Sequence, residues 1–145
     1  MISACGVLCS DCPAYQGQAR GPEHQMRTVE AWIRIYNRPE APEDIRCGGC
    51  LSPDDEVFYT SRTCQCRLCC RAKGLESCAG CPEEDCARLK EAQAVWDEVP
   101  ALINTLSPAD FDTYARPYCD HRQRLAEARA RSLSENRGDF PELPG

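Results

Sequence analysis

The stretch CQCRLCCRAKGLESCAGCPEEDC, residues 64–86, holds seven of the 13 cysteines in a chain of 145 residues. Its density in cysteine and glycine reads as a metal-bearing loop with no room for a long regular element. Working outward, C-x2-C pairs recur at Cys9/Cys12, Cys47/Cys50, Cys66/Cys69 and Cys78/Cys81. A thiolate pair two residues apart closes a tight turn whose backbone N–H groups can donate to the sulfurs. Both ligands then reach one tetrahedral ion with little loop entropy lost, and two such pairs complete a site.

Composition explains why metal would be needed. Leu, Ile, Val and Phe together number 23 of 145 residues, below the share that lets a domain fold by burying a large apolar core. Either disulfides or metal thiolates must help hold the chain. The opening MISACGVLCSDC has no basic leader and no apolar run of signal-peptide length, and an odd cysteine count fits disulfides poorly. The expectation is metal thiolates in the cytoplasm, and no apolar stretch approaches the length of a membrane span. The formal charge is -6 with thiols neutral, and each zinc on four thiolates would add two negative charges. Nucleic acid is therefore not the expected partner. The clusters Arg62, Arg67, Arg71, Lys73 and Arg122, Arg124, Arg129, Arg131 read as cations that offset cysteinates or lie on solvated helix faces.

Along the chain, Pro22 to Asn37 predicts an amphipathic helix, with Met26, Val29, Trp32, Ile33 and Tyr36 at helical spacing and Pro39 ending it. A linker from Pro39 to Asp44 leads to Cys47-Gly-Gly-Cys50, whose glycines permit the positive backbone angles of a metal knuckle. Val57, Phe58 and Tyr59 predict a short strand, one arm of a small hairpin. Further helices are expected from Pro82 to about Glu98, from Ser107-Pro108, and from Pro117 through Leu125 and Ala128. The predicted fold is small, metal-stapled and mainly α, with irregular cysteine-rich loops and a short β-hairpin of zinc-ribbon type. Residues 1–98 form the cysteine-rich domain, 99–133 a helical extension packed on it, and 134–145 a flexible tail.

Cys9-x2-Cys12-Pro13 and Cys78-x2-Cys81-Pro82 share a C-x2-C-P pattern. Each places its second cysteine at an expected helix N-terminus, where exposed N–H groups stabilise a thiolate. These two knuckles are expected to share one ion. Cys47/Cys50 and the Cys64 to Cys69 region would form a second, ribbon-type site, fifteen residues separating Cys50 from Cys66.

Cys5-Gly-Val-Leu-Cys9 followed by Cys12-Pro-Ala-Tyr15, the Cys47-Gly-Gly-Cys50 knuckle, and Cys64-x4-Cys69-x3-Lys73-Gly74-x3-Cys78-x2-Cys81-x4-Cys86 together resemble a known cysteine-rich family, domain of unknown function 3795. The resemblance covers roughly residues 5 to 90. It implies a zinc-binding protein without an assigned activity and a ligand set of Cys5, Cys9, Cys12, Cys47, Cys50, Cys64, Cys69, Cys78, Cys81 and Cys86. Spacing alone pairs Cys66 with Cys69. The family pattern uses Cys64 and Cys69 instead and leaves Cys66 and Cys70 as extras.

Cys5-x3-Cys9-x2-Cys12 also has the spacing with which radical S-adenosylmethionine enzymes hold an iron–sulfur cluster. Such enzymes need most of an α/β barrel, for which this chain lacks the length and the strand–helix repeat. An iron–sulfur electron carrier is the stronger alternative, beside a thiol-redox or metal-transfer role for spare cysteines. No phosphate loop, H-E-x-x-H or nucleophile elbow is present. His24, and the neighbours Cys119 and His121, read as structural, so no catalytic residue is assigned. The leading reading is a module with about two structural zinc ions presenting a surface to a protein partner.

Overall fold

The computed structural model describes residues 1–138. Among the described residues there are five helices, α1 (Pro13–Tyr36), α2 (Gln65–Lys73), α3 (Ala87–Ala94), α4 (Pro108–Tyr114) and α5 (His121–Gly138), with short 3-10 turns between them. Helix α1 begins earlier than the apolar spacing predicts, at Pro13 directly after Cys12. Cys12 is the extended N-cap, and the proline occupies the position where a missing N–H costs nothing. Gly21 breaks the helix at φ 80°, and Pro22 restarts it along the predicted amphipathic stretch. The helix ends at Asn37 in the left-handed region, with Arg38 N–H donating to the Trp32 carbonyl at 3.2 Å.

The expected hairpin is not formed. Among the described residues there is no strand, only an isolated antiparallel bridge between Ile2 and Leu8. Val57 and Phe58 are buried, but as plugs and not as a ladder. The N–H groups of Glu56 and Val57 both turn back onto the Pro53 carbonyl. Phe58 packs edge-on against Trp32 with ring centres 5.7 Å apart, and Tyr59 opens a 3-10 turn, Tyr59–Thr63. Side-chain burial is thus met without backbone pairing, and the zinc-ribbon part of the predicted fold is corrected. The mainly helical part holds.

Two further expectations change. The run from Gln65 to Lys73, read as loop, is helix α2. Cys64 is its N-cap and Gly74 its left-handed C-cap at φ 66°, with Leu75 N–H bonded to the Cys70 carbonyl at 2.9 Å. The helix expected from Pro82 begins only at Ala87, so Cys86 and not Cys81 stands at its N-cap. Ser107 does cap α4, its hydroxyl accepting from Asp110 N–H at 3.2 Å. Part of the stretch from Ser134 expected to be loose continues α5 to Gly138; the rest, 139–145, lies outside the described residues.

Thiols stand in for the missing aliphatic residues. The main core cluster counts Cys5, Cys66, Cys70, Cys78 and Cys119 among its buried members, with Val7, Leu89, Val99, Phe111, Tyr118 and Leu125. A second cluster joins Ala14, Trp32, Ile45 and Phe58. The C-terminal helices are tied into the first. Arg129 donates to the Cys78 carbonyl at 3.1 Å, Arg124 to the Gly6 carbonyl at 3.0 Å, and Tyr36 to the Tyr114 carbonyl at 2.6 Å. Among the described residues no helix is long and apolar enough to cross a membrane.

Candidate functional site

Helix entries and tight turns place the sulfurs. All thirteen cysteines are free thiols, and twelve of them line two cavities, six to each. The first cavity, about 560 Å³, is lined by Cys5, Cys9, Cys12, Cys47, Cys50 and Cys64. Opposite them stand aromatic and aliphatic side chains, including Trp32, Tyr36, Phe58, Trp96, Val99 and Tyr118. The second cavity, about 20 Å³, is lined by Cys66, Cys69, Cys70, Cys78, Cys81 and Cys86. Only Cys119 stands apart, donating to the Ala115 carbonyl at 3.4 Å.

The knuckles therefore meet in other pairs than the C-x2-C-P pattern predicts. Cys9 and Cys12 lie with Cys47 and Cys50, because the chain after α1 folds back along that helix; Gln25 donates to the Ile45 carbonyl at 3.2 Å. Cys78 and Cys81 lie instead with the cysteines of α2. The reversal at Gly74 returns the chain so that the Cys78 and Cys70 sulfurs are 3.7 Å apart. The cysteines the family pattern leaves aside, Cys66 and Cys70, are 1% and 2% exposed and face this second cavity. Their signal was present in the sequence. Cys66, Cys69 and Cys70 recur at i, i+3 and i+4, the spacing of one helix face, but an assignment as loop ligands hid it.

Burial makes Cys5, Cys9, Cys12 and Cys50 of the first group costly to ionise without a cation. Desolvation and the crowding of neighbouring sulfurs push the Cys9 thiol up, burial does the same for Cys5 and Cys12, and Cys50 is pushed up to about 11. Several donors point at the sulfurs of this group. The Cys12 sulfur lies 3.3 Å from the Tyr118 hydroxyl, Gly49 N–H donates to Cys47 at 3.4 Å, and the Ala4 amide reaches Cys50. The first N–H groups of α1, from Ala14 and Tyr15, face Cys12 without closing a capping hydrogen bond. In α2 the amides of Cys66 and Arg67 do the same for Cys64. The buried Trp32 Nε1, on a residue lining this cavity, has no hydrogen-bond partner.

Around the second group the cations are used internally. Lys73 Nζ lies 3.8 Å from Cys81 and an Arg88 nitrogen 3.9 Å from Cys69. Arg67 is fully buried, donating to the carbonyls of Cys50 (3.0 Å) and Ser52 (2.7 Å) and pairing with Asp54 at 2.8 Å. Hydrogen bonding with the Cys66 thiol holds Cys64 and Cys78 below the usual thiol range. His24 bonds the Pro13 carbonyl and His121 the Tyr118 carbonyl through Nδ1.

As they stand, no three His, Cys, Asp or Glu side chains among the described residues close tightly enough to hold an ion. The donor set nonetheless suits a soft cation. Buried sulfurs that raise each other's pKa are relieved when a metal ion takes the place of their protons. The second cavity is about the size of one water or ion, whereas the first has room for more.

Residues 1–91 match the model of a family described as protein of unknown function, DUF3795. No curated protein and no solved structure gives a significant match.

Proposed function

The chain belongs to the DUF3795 family, and from its own cysteine geometry we propose that it is a metal–thiolate protein in which zinc ions drawn into the two cysteine groups complete the core. The observation that carries this reading is the partition of twelve thiols into two cavities, six to each. Sites filled by thiolates leave no open position for activated water, so the zinc is structural. Its role is to stiffen a surface offered to a protein partner. A reducing compartment such as the cytoplasm keeps the thiols available.

One observation favours a second reading. At about 560 Å³ the first cavity exceeds what a single ion needs, and cysteine groups of this kind also hold iron–sulfur clusters. Elemental analysis of the full chain, purified without chelator, together with a visible spectrum separates the two. Colourless protein carrying at least two zinc ions supports the first reading. Brown protein with iron and sulfide replaces it with the second. Protein with no metal, and no uptake on addition of zinc, overturns both.

A further inference from the structure

Six sulfurs line each cavity, yet one is about 560 Å³ and the other about 20 Å³. An ion among thiolates accounts for a space of the smaller size. The excess volume of the first cavity is walled by carbon. Trp32 and Tyr36, one turn apart on α1, line it together with Phe58, Trp96 and Tyr118. Two ring pairs result: Trp32 meets Phe58 edge-on at 5.7 Å, and Trp96 lies flat on Tyr118 at 4.7 Å with 8° between the planes. Val95, 70% exposed, is also a lining residue, so the cavity opens to solvent there. Two polar features complete the walls. Trp32 is only 6% exposed and its Nε1–H has no acceptor, none of the sulfurs included. Arg38 is the one cation on the lining and is already engaged, lying 5.2 Å over the Phe58 ring and bonding Glu40 and Thr60.

We propose that the first cavity binds a neutral, flat aromatic molecule that offers a carbonyl oxygen to Trp32 Nε1. This goes beyond the metal–thiolate reading, which accounts for the sulfur wall alone. The size and lining are those of a small-molecule pocket, mostly apolar and aromatic with a few polar groups. A flat occupant follows from the ring pairs, whose exposed faces and edges favour offset or edge contacts with another π system. The oxygen follows from Trp32. A buried N–H without a partner is costly, and an acceptor carried by the ligand removes that cost, which an aliphatic or oxygen-free occupant leaves in place. Neutrality follows from the charges. Arg38 is engaged, no carboxylate lines the cavity, and a buried charge of either sign would find no free partner.

The chain has two tryptophans, Trp32 and Trp96, and both line this cavity. Their indole N–H signals in a nitrogen-15 NMR spectrum of the unmodified full chain therefore report on it, and no variant has to fold. The probes are 2-acetylnaphthalene and 2-ethylnaphthalene, alike in shape but differing in the carbonyl oxygen. The expected result is a saturable shift of both indole signals with 2-acetylnaphthalene, the Trp32 N–H moving downfield as it gains an acceptor. 2-Ethylnaphthalene should bind about tenfold more weakly, since it leaves that donor unpaired. Equal affinities overturn the role of Trp32, and indole signals that stay still up to the solubility limit of both probes overturn the pocket. Zinc content measured on the same sample keeps the readings apart. Silent indoles in zinc-bearing protein remove the pocket alone, whereas saturable binding to a chain that takes up no zinc sustains the pocket and removes the metal–thiolate reading.

Discussion

The Cys12 sulfur and the Tyr118 hydroxyl lie 3.3 Å apart although 106 positions separate them in the chain. Tyr118 is buried, stacks on Trp96 with ring centres 4.7 Å apart, and meets Tyr36 edge-on. It belongs to the 3-10 turn Arg116–Tyr118, beyond the family match, yet supports a sulfur within it. A donor behind a ligand fixes its orientation and its charge, and its loss typically costs 10–100-fold in metal affinity. Tyr118→Phe should therefore release zinc to a chromophoric chelator about tenfold faster, with its circular dichroism unchanged. An unchanged release rate would remove Tyr118 from the metal environment.

The C-terminal half should be indispensable to the cysteine half. A chain ending at Glu98 loses Tyr118, the Arg124 bond to Gly6 and the Arg129 bond to Cys78. It also removes Val99 and uncovers Leu89, which packs in one cluster with Val99, Phe111 and Leu125. Such a chain should show no cooperative thermal transition even with excess zinc. A sharp transition would establish the first 98 residues as an independent folding unit.

Gly6 and Gly74 both have positive φ, 104° and 66°, but differ in surroundings. A Cβ on Gly6 would lie 2.1 Å from the His121 carbonyl oxygen, whereas one on Gly74 would meet nothing within 4 Å. Gly74→Ala should cost about 1–2 kcal/mol, the conformational penalty alone. Gly6→Ala adds a backbone clash and should exceed about 3 kcal/mol. Urea midpoints of the two variants provide the comparison, and equal losses would contradict the close docking of α5.

Arg67 holds the second knuckle through the Cys50 and Ser52 carbonyls while its far side pairs with Asp54. Lysine cannot reproduce that planar fork. Arg67→Lys should lose about 3 kcal/mol in denaturant unfolding and speed metal loss from the first group. Asp54→Asn should do far less, since that carboxylate is exposed.

On the metal–thiolate reading, chelation should lower the melting temperature by at least about 10 °C, since the folded arrangement binds metal more tightly than the unfolded chain. Thiol-reactive dye should then label the partly exposed Cys69, Cys81 and Cys86 well before Cys119, which is buried and bonded to Ala115. Early labelling of Cys119 would mean that α5 opens first.

Legibility followed the kind of signal. The C-x2-C pairs could be read from spacing, because two-residue spacing is local chemistry, while Cys64 and Cys86 entered through the family resemblance. Which pairs meet could not. Cys12 finds Cys47 through the return of the chain along α1, and Cys78 finds Cys70 through the turn at Gly74; neither is written in a spacing. Capping was readable where a side chain does the work, as at Ser107, and misread where proline and the acidic run Glu83, Glu84 and Asp85 were the cues: Pro82 follows Cys81 but starts no helix. Val57 and Phe58 look like strand residues because burial and β-propensity favour the same types. Here Phe58 is buried against Trp32, and both residues line the first cavity. The aromatic wall carried no motif, and only the fold brings Trp96 and Tyr118 to the sulfurs.

That wall also imposes an order in time. Cys5 through Cys64 leave the ribosome before Trp96 and Tyr118, the residues that close the first cavity. At about 5–20 residues per second, the gap between Cys64 and Tyr118 is on the order of several seconds. For that interval six thiols of a nascent chain stand open to oxidants and to any passing soft metal. On the metal–thiolate reading, selection of the right ion falls to the moment when the last helices dock, and depends on how fast synthesis reaches them.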